Sequence, residues 1–250
     1  MGYVIAMAGK GGTGKTTVAA LIVRILKDNK LGSILAIDAD PNSNLADALG
    51  IKVKASIGEI LDEICVHPEK VPAGMPKERF IEYEVQTAVS EGVGFDCLTM
   101  GRPEGPGCYC YVNNVLRDVL GKLIKDYDFV IIDNEAGLEH LSRRTTRSAD
   151  ALVVVSDASK VGLKAAERII ALAKELKIQT KKNLLIINRF NNNLDKEKLE
   201  GVEAEYLGNL AQDAGIEKIS LNGGSLMELS RDALVLTALN KIGEKIWQRN

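Results

Sequence analysis

The 250-residue chain carries 32 basic and 34 acidic residues, a formal charge of −2, so no global positive field draws it to nucleic acid or to an anionic membrane. Aromatic residues make up only 4%, with one tryptophan, Trp247, which leaves no stacking platform for single-stranded nucleic acid. The length suits one large α/β domain over 1–250. No apolar run approaches the ~20 residues that span a bilayer, and the opening apolar run is too short for a secretory leader. A cytoplasmic protein with reduced thiols at Cys65, Cys97, Cys108 and Cys110 is therefore expected.

Tyr3 to Thr17, YVIAMAGKGGTGKTT, organises the rest of the chain. A short apolar strand (Tyr3 to Ala8) runs into a glycine-rich loop that opens an amphipathic helix (Val18 to Lys27). Gly9, Gly14, Lys15 and Thr16 fill the G-x-x-x-x-G-K-[S/T] pattern of a phosphate loop. Glycines at 9, 11, 12 and 14 let successive backbone N–H groups curl around an anion, and the helix aims its positive end at the same phosphates. Lys15 reaches the β- and γ-phosphates, and the Thr16 hydroxyl holds Mg²⁺. The expected nucleotide-binding set is Gly9, Lys10, Gly11, Gly12, Thr13, Gly14, Lys15, Thr16 and Thr17.

Ser33 to Ile37 reads as a buried strand ending in Asp38-Ala39-Asp40-Pro41-Asn42, which places carboxylates at a strand's carboxyl end, where α/β proteins bind ligands. A turn and helix cap is the plainer role for the same residues. Residues 51 to 91 carry little signal beyond a short helix, Ser56 to Ile64, with Ser56 and Glu59 at capping-box spacing. The Pro- and Gly-bearing stretch from Val66 to Glu78 reads as a loop, and its His67 as solvent-exposed. Phe95 to Met100 reads as a strand with Cys97 packed as a small hydrophobe.

Gly101 to Tyr111, GRPEGPGCYCY, is a turn-rich approach to a helix at Val112 to Lys125. Its Cys108 and Cys110 are spaced to aim two thiolates at one soft or borderline ion. Two ligands are half a closed site, so a distant residue or a second chain must complete it. Unligated packed cysteines and a redox pair are the alternatives. Asp128 to Asp133, DFVIID, is an apolar strand ending in a carboxylate that would face the phosphate loop and hold Mg²⁺ through water. In the D-x-x-A-G that follows, Gly137 can offer its N–H to the γ-phosphate; Arg143, Arg144 and Arg147 read as a solvated helix face. Further on come a strand (Ala151 to Val155), a helix (Ser159 to Leu176), a strand (Leu184 to Ile187) ending in Asn188-Arg189, and a last strand (Ile216 to Leu221). Asn222-Gly223-Gly224 is a loop able to flank a base, and Ser225 to Gln248 is helical, with a core-packed terminal helix expected.

The GKGGTGKT form, with the additional Lys10, resembles the deviant Walker A loop of the MinD/ParA/nitrogenase-iron-protein class of P-loop NTPases. That resemblance implies an α/β fold, a mostly parallel sheet flanked by helices. It also implies that Lys10 reaches the nucleotide of a partner subunit, that Asp40 orients the attacking water with Asp38 near Mg²⁺, and that Asn188, with Arg189 beside it, contacts adenine. GCYCYVNN and DNEAGLEHLSRRT further resemble the CooC-type ATPases, which mature the nickel enzyme carbon monoxide dehydrogenase. The resemblance covers nearly the whole chain and implies one P-loop ATPase domain acting as a homodimer driven by nucleotide, metal or both. Cys108 and Cys110 of two subunits would then supply four thiolates for Ni²⁺, or Zn²⁺ in the same site. The implied client is carbon monoxide dehydrogenase or acetyl-CoA synthase, with neither nucleic acid nor membrane as partner. A positioning ATPase on DNA or membrane leaves the C-x-C unexplained. An iron–sulfur reductase of the nitrogenase iron protein type would want a cysteine near Asp133 to Gly137, and there is none.

Overall fold

The structure, a computed structural model, describes residues 2–40, 43–101, 110–135, 148–192 and 194–248, the side chains of 110–114 and 196 excepted. Eight strands form one sheet: β1 (Tyr3–Ala8), β2 (Ile34–Ala39), β3 (Ser90–Glu91), β4 (Asp96–Thr99), β5 (Phe129–Asn134), β6 (Ser148–Ser156), β7 (Gln179–Asn188) and β8 (Glu205–Leu210). Their order is β3-β4-β2-β5-β1-β6-β7-β8, and every pair is parallel except the short antiparallel β3–β4 edge. All six residues of β1, β2 and β5 are buried, which is why these strands read as unbroken apolar runs rather than as alternating ones.

Helices cover both faces. On one lie α1 (Lys15–Asp28), α2 (Asn44–Leu49), α7 (Ala214–Leu221) and α8 (Leu234–Trp247), packed over Ile5, Met7, Ala36, Ile131 and Val153. On the other lie α3 (Ile57–Val66), α4 (Lys77–Ala88), α5 (Cys110–Leu123) and α6 (Lys160–Glu175), over Ala6, Ile37, Ile132 and Val154. The chain leaves β1 for β2 on one side and β5 for β6 on the other, so the sheet reverses its direction of growth at β1. In such sheets the crevice outside the strands' carboxyl ends at that point is where ligands bind.

Several expectations hold with small shifts of boundary. Ser56 and Glu59 form the capping box of α3, each side chain bonded to the other's backbone N–H. Cys97 is buried, and burial pushes its thiol up to about 12. His67 is exposed. The terminal helix is core-packed: Val235, Leu239, Ile246 and Trp247 are buried, and the Tyr3 hydroxyl donates to the Ile246 carbonyl at 2.7 Å.

Others are corrected. Ile216 to Leu221 is not a strand but belongs to α7, because the Asp213 carboxylate accepts from the Gly215 and Ile216 amides and starts a helix there. The last strand is β8, whose polar Glu205 and Asn209 and interior Gly208 hid it. The stretch taken as a loop from Val66 to Glu78 contains a 3₁₀ turn at Pro68–Lys70, and α4 begins at its end. Asn222 and Gly224 help line a cleft of about 590 Å³ with Asp213, Lys218 and Leu234.

Candidate nucleotide site

The loop between β1 and α1 is held by its own backbone. The Thr13 hydroxyl donates to the Lys10 carbonyl at 2.8 Å, and the Thr13 amide reaches the same oxygen at 3.3 Å. Gly9 has φ +152°, and a Cβ there would stand 2.3 Å from the Val155 carbonyl. Gly14 has φ +87°, and a Cβ would stand 2.4 Å from Asn188 Nδ2. Both positions thus require glycine on conformation and on space. No side chain caps α1 and no acidic residue lies in its first turn, so its leading N–H groups remain available to an anion. Lys15, the first residue of α1, is buried, whereas Lys10 is exposed on the loop.

Two carboxylates stand beside this loop. Asp38 and Asp133 are register partners at the carboxyl ends of β2 and β5, on the face that carries α1. Asp38 Oδ2 accepts from the Leu45 and Ala46 amides at 2.7 and 3.4 Å, and Oδ1 from the Asp40 amide at 3.2 Å. Burial pushes the Asp38 carboxyl up to about 7; those amides oppose the rise, and the neighbouring Asp133 adds to it. Asp133 differs: neither carboxylate oxygen has a hydrogen-bond partner among the described residues. Burial raises it to about 6, Asp40 adds to the rise, and Thr16 and Lys15 work against it. The Thr16 hydroxyl therefore stands near Asp133 without completing a well-shaped hydrogen bond.

Bare carboxylate oxygens next to a threonine hydroxyl suit a hard divalent cation, so the residues present fit the Mg²⁺ that a phosphate loop implies. Asp38 is otherwise engaged, as the acceptor that starts α2. Asp40 is half-buried and lies close enough to Asp133 to influence its charge.

Asn188 and Arg189, at the end of β7, reach the loop from the other side. Asn188 Nδ2 donates to the Thr13 carbonyl at 2.9 Å and Arg189 Nη1 to the Gly12 carbonyl at 3.3 Å. The structure thus brings together Gly9 to Thr17, Asp38, Asp40, Asp133, Asn188 and Arg189. Gly137 and Cys108 lie outside the described residues, as do Arg143, Arg144 and Arg147. Cys110 is the first residue of α5, which runs back toward the start of β5. Its backbone therefore sits at the same carboxyl edge of the sheet as the phosphate loop.

Sequence reasoning passed over Asn134. It is buried at the end of β5, its Nδ2 donates to the Met7 carbonyl at 2.9 Å, and its Oδ1 has no partner among the described residues. An asparagine directly after a strand-terminal aspartate was the available signal.

The family model described as an AAA domain matches residues 2–186. An uncharacterized ATP-binding protein of Methanocaldococcus jannaschii is 41% identical, over 97% of this chain and 98% of its own length. The carbon monoxide dehydrogenase accessory protein CooC of Rhodospirillum rubrum is 30% identical, over 95% of this chain and 97% of its own. Among solved structures, the septum site-determining protein MinD of Pyrococcus horikoshii, complexed with Mg-ADP, superposes with a TM-score of 0.70 at 20% identity, covering 99% of this chain and 97% of that one. That last likeness establishes the fold, a mostly parallel α/β sheet flanked by helices.

Proposed function

The chain belongs to the AAA-domain family of P-loop ATPases, and from that premise we propose that it is a maturation ATPase that delivers nickel to carbon monoxide dehydrogenase or acetyl-CoA synthase. The observation that carries the nucleotide half is the bare, buried Asp133 carboxylate facing Lys15 and Thr16 beside an uncapped helix start. The nickel half is supported by the C-x-C pair and by the full-length likeness to CooC.

In this reading the Gly9–Thr17 loop cradles the phosphates, and Asp133 and Thr16 would hold Mg²⁺, which would supply positive charge against that of the phosphates. Asp40 orients a water for in-line attack on the γ-phosphorus. The bond from that phosphorus to the bridging oxygen breaks, and ADP and inorganic phosphate leave. Lys15 stabilises the charge spread over the transferred group, and Lys10 of a second copy approaches from across a homodimer interface. Nickel is cargo. Cys108 and Cys110 of each copy contribute two thiolates, and the four together make a site that would also take Zn²⁺. Closure on ATP changes the spacing of the two pairs, and hydrolysis releases the metal to the client.

The test is nickel stoichiometry per chain and dimer mass, with and without ATP, in the wild type and in a Cys108→Ala/Cys110→Ala variant. The reading expects one nickel per dimer in the wild type and none in the variant. Equal stoichiometry in the two proteins sinks the metal half, and ATP turnover that survives Lys15→Ala sinks the nucleotide half.

A further inference from the structure

We infer that Asn188 and Arg189 brace the phosphate loop into its anion-binding shape, so that these two residues position the loop in addition to any contact they make with a base. This rests on the nucleotide reading above for what the loop binds, but the brace itself is a property of the empty protein.

Three observations converge. First, Asn188 is nine-tenths buried, and its amide lies against the loop backbone where Gly14 has no side chain; a Cβ there would stand 2.4 Å from Nδ2. The acceptor it meets is the Thr13 carbonyl, which fixes the amide's orientation: only the nitrogen can donate to it. Second, Arg189 holds φ +56°, a left-handed backbone conformation that is costly for a residue with a Cβ. From there its guanidinium reaches the next carbonyl along the loop, that of Gly12. Third, Thr13 is gripped from both sides, since its hydroxyl and amide bind the Lys10 carbonyl while its own carbonyl binds Asn188.

The direction of these bonds matters. A loop that binds an anion must turn its N–H groups inward, which leaves its carbonyls pointing out. Outward carbonyls need donors, and two consecutive ones, of Gly12 and Thr13, take theirs from side chains at the end of β7, two strands away across β6. Asn188 and Arg189 therefore favour the same peptide orientations that phosphate requires. With one of its two amide N–H groups committed to the loop, Asn188 keeps the other N–H and Oδ1 for a base. Base contact and loop shape thus share one side chain.

The experiment separates the two roles with a ligand that has no base. Affinities for ATP and for inorganic tripolyphosphate are measured on the full chain by calorimetry, in the wild type and in Asn188→Ala. The brace expects Asn188→Ala to weaken tripolyphosphate by about tenfold, the size of one hydrogen bond to a buried acceptor, and ATP by at least as much. A loss confined to ATP, with tripolyphosphate within about twofold of wild type, overturns the brace and leaves a base contact alone. A second arm needs no ligand: hydrogen exchange of the amides at Gly12, Thr13 and Gly14 in Asn188→Ala and in Arg189→Ala. The Arg189 side chain is exposed, so its removal does not threaten the fold even if Asn188→Ala proves unstable. Faster exchange at these amides supports the brace, and unchanged exchange in Arg189→Ala overturns it. If the wild type binds neither ligand, the nucleotide reading fails while the exchange arm still decides the brace.

Discussion

Asp38 and Asp133 stand opposite each other on adjacent parallel strands, both fully buried, yet Asp38 accepts three backbone N–H groups and Asp133 accepts none among the described residues. Two carboxyl groups at this spacing serve different tasks: Asp38 holds the start of α2, and Asp133 is the group that the proposed function gives to Mg²⁺.

The first prediction follows from their titration. Both carboxyls are raised in the folded protein, from 3.8 to about 7 for Asp38 and to about 6 for Asp133. The folded state therefore holds more protons than the unfolded state between roughly pH 4 and 7, so stability falls as pH rises through that window and stays low above it. Thermal melts of the nucleotide-free protein should show Tm declining from pH 5 to pH 8, with Mg·ATP flattening the decline. Asp133→Asn should remove part of the slope and stabilise the nucleotide-free protein at pH 8 by roughly 2–3 kcal/mol. A Tm that rises over this range would contradict the assignment.

Asp38→Ala should behave in the opposite way to Asp133→Asn. It strips the acceptor from the Leu45 and Ala46 amides at the start of α2 and leaves buried N–H groups orphaned, at a cost of about 2–4 kcal/mol. Urea unfolding of the two variants at pH 8 measures the contrast. A stabilised Asp38→Ala protein would show that the amide bonds matter less than relief of charge repulsion.

Lys15→Ala should reduce ATP turnover by at least about 10³-fold, because a positioned cation on the transferred phosphoryl group is lost from a buried site. Phosphate release assays read this directly, and the folded state is checked by circular dichroism.

Gly243 sits in α8 with the Trp247 ring over it; a Cβ there would lie 2.0 Å from a ring carbon. Alanine ordinarily strengthens a helix by about 1 kcal/mol over glycine. Here the clash should win, and Gly243→Ala should destabilise by about 1–3 kcal/mol. Trp247 is the chain's only tryptophan, so its fluorescence reports both the unfolding midpoint and the displaced ring.

Local chemistry was legible in the sequence, and long-range chemistry was not. The phosphate loop, the apolar strands β1, β2, β5 and β6 and the capping box of α3 each declare themselves within a few residues. In α7, Ile216 and Ile219 carry helical spacing and Asp213 a cap, yet a short run with two isoleucines also passes for a strand. α4 buries Ile81, Val85 and Ala88, one face of a helix, and the flanking prolines drew attention away from that period. The grip of Asn188 on Thr13 joins residues 175 positions apart, and only the order β1-β6-β7 brings them together. The same holds for Asn134 and Met7, which no spacing rule connects.

Asp133 and Asn134 are consecutive in β5, so their side chains leave the strand on opposite faces of the sheet. One confronts the layer of α1, and the other lies on the side of Ile132 and the buried Leu116 and Leu120 of α5, the helix that Cys110 begins. A single peptide unit thus passes through the full thickness of the sheet, and among the described residues both carboxylate oxygens of Asp133 on one side and Oδ1 of Asn134 on the other have no partner. This two-sided unit lies three residues before Gly137.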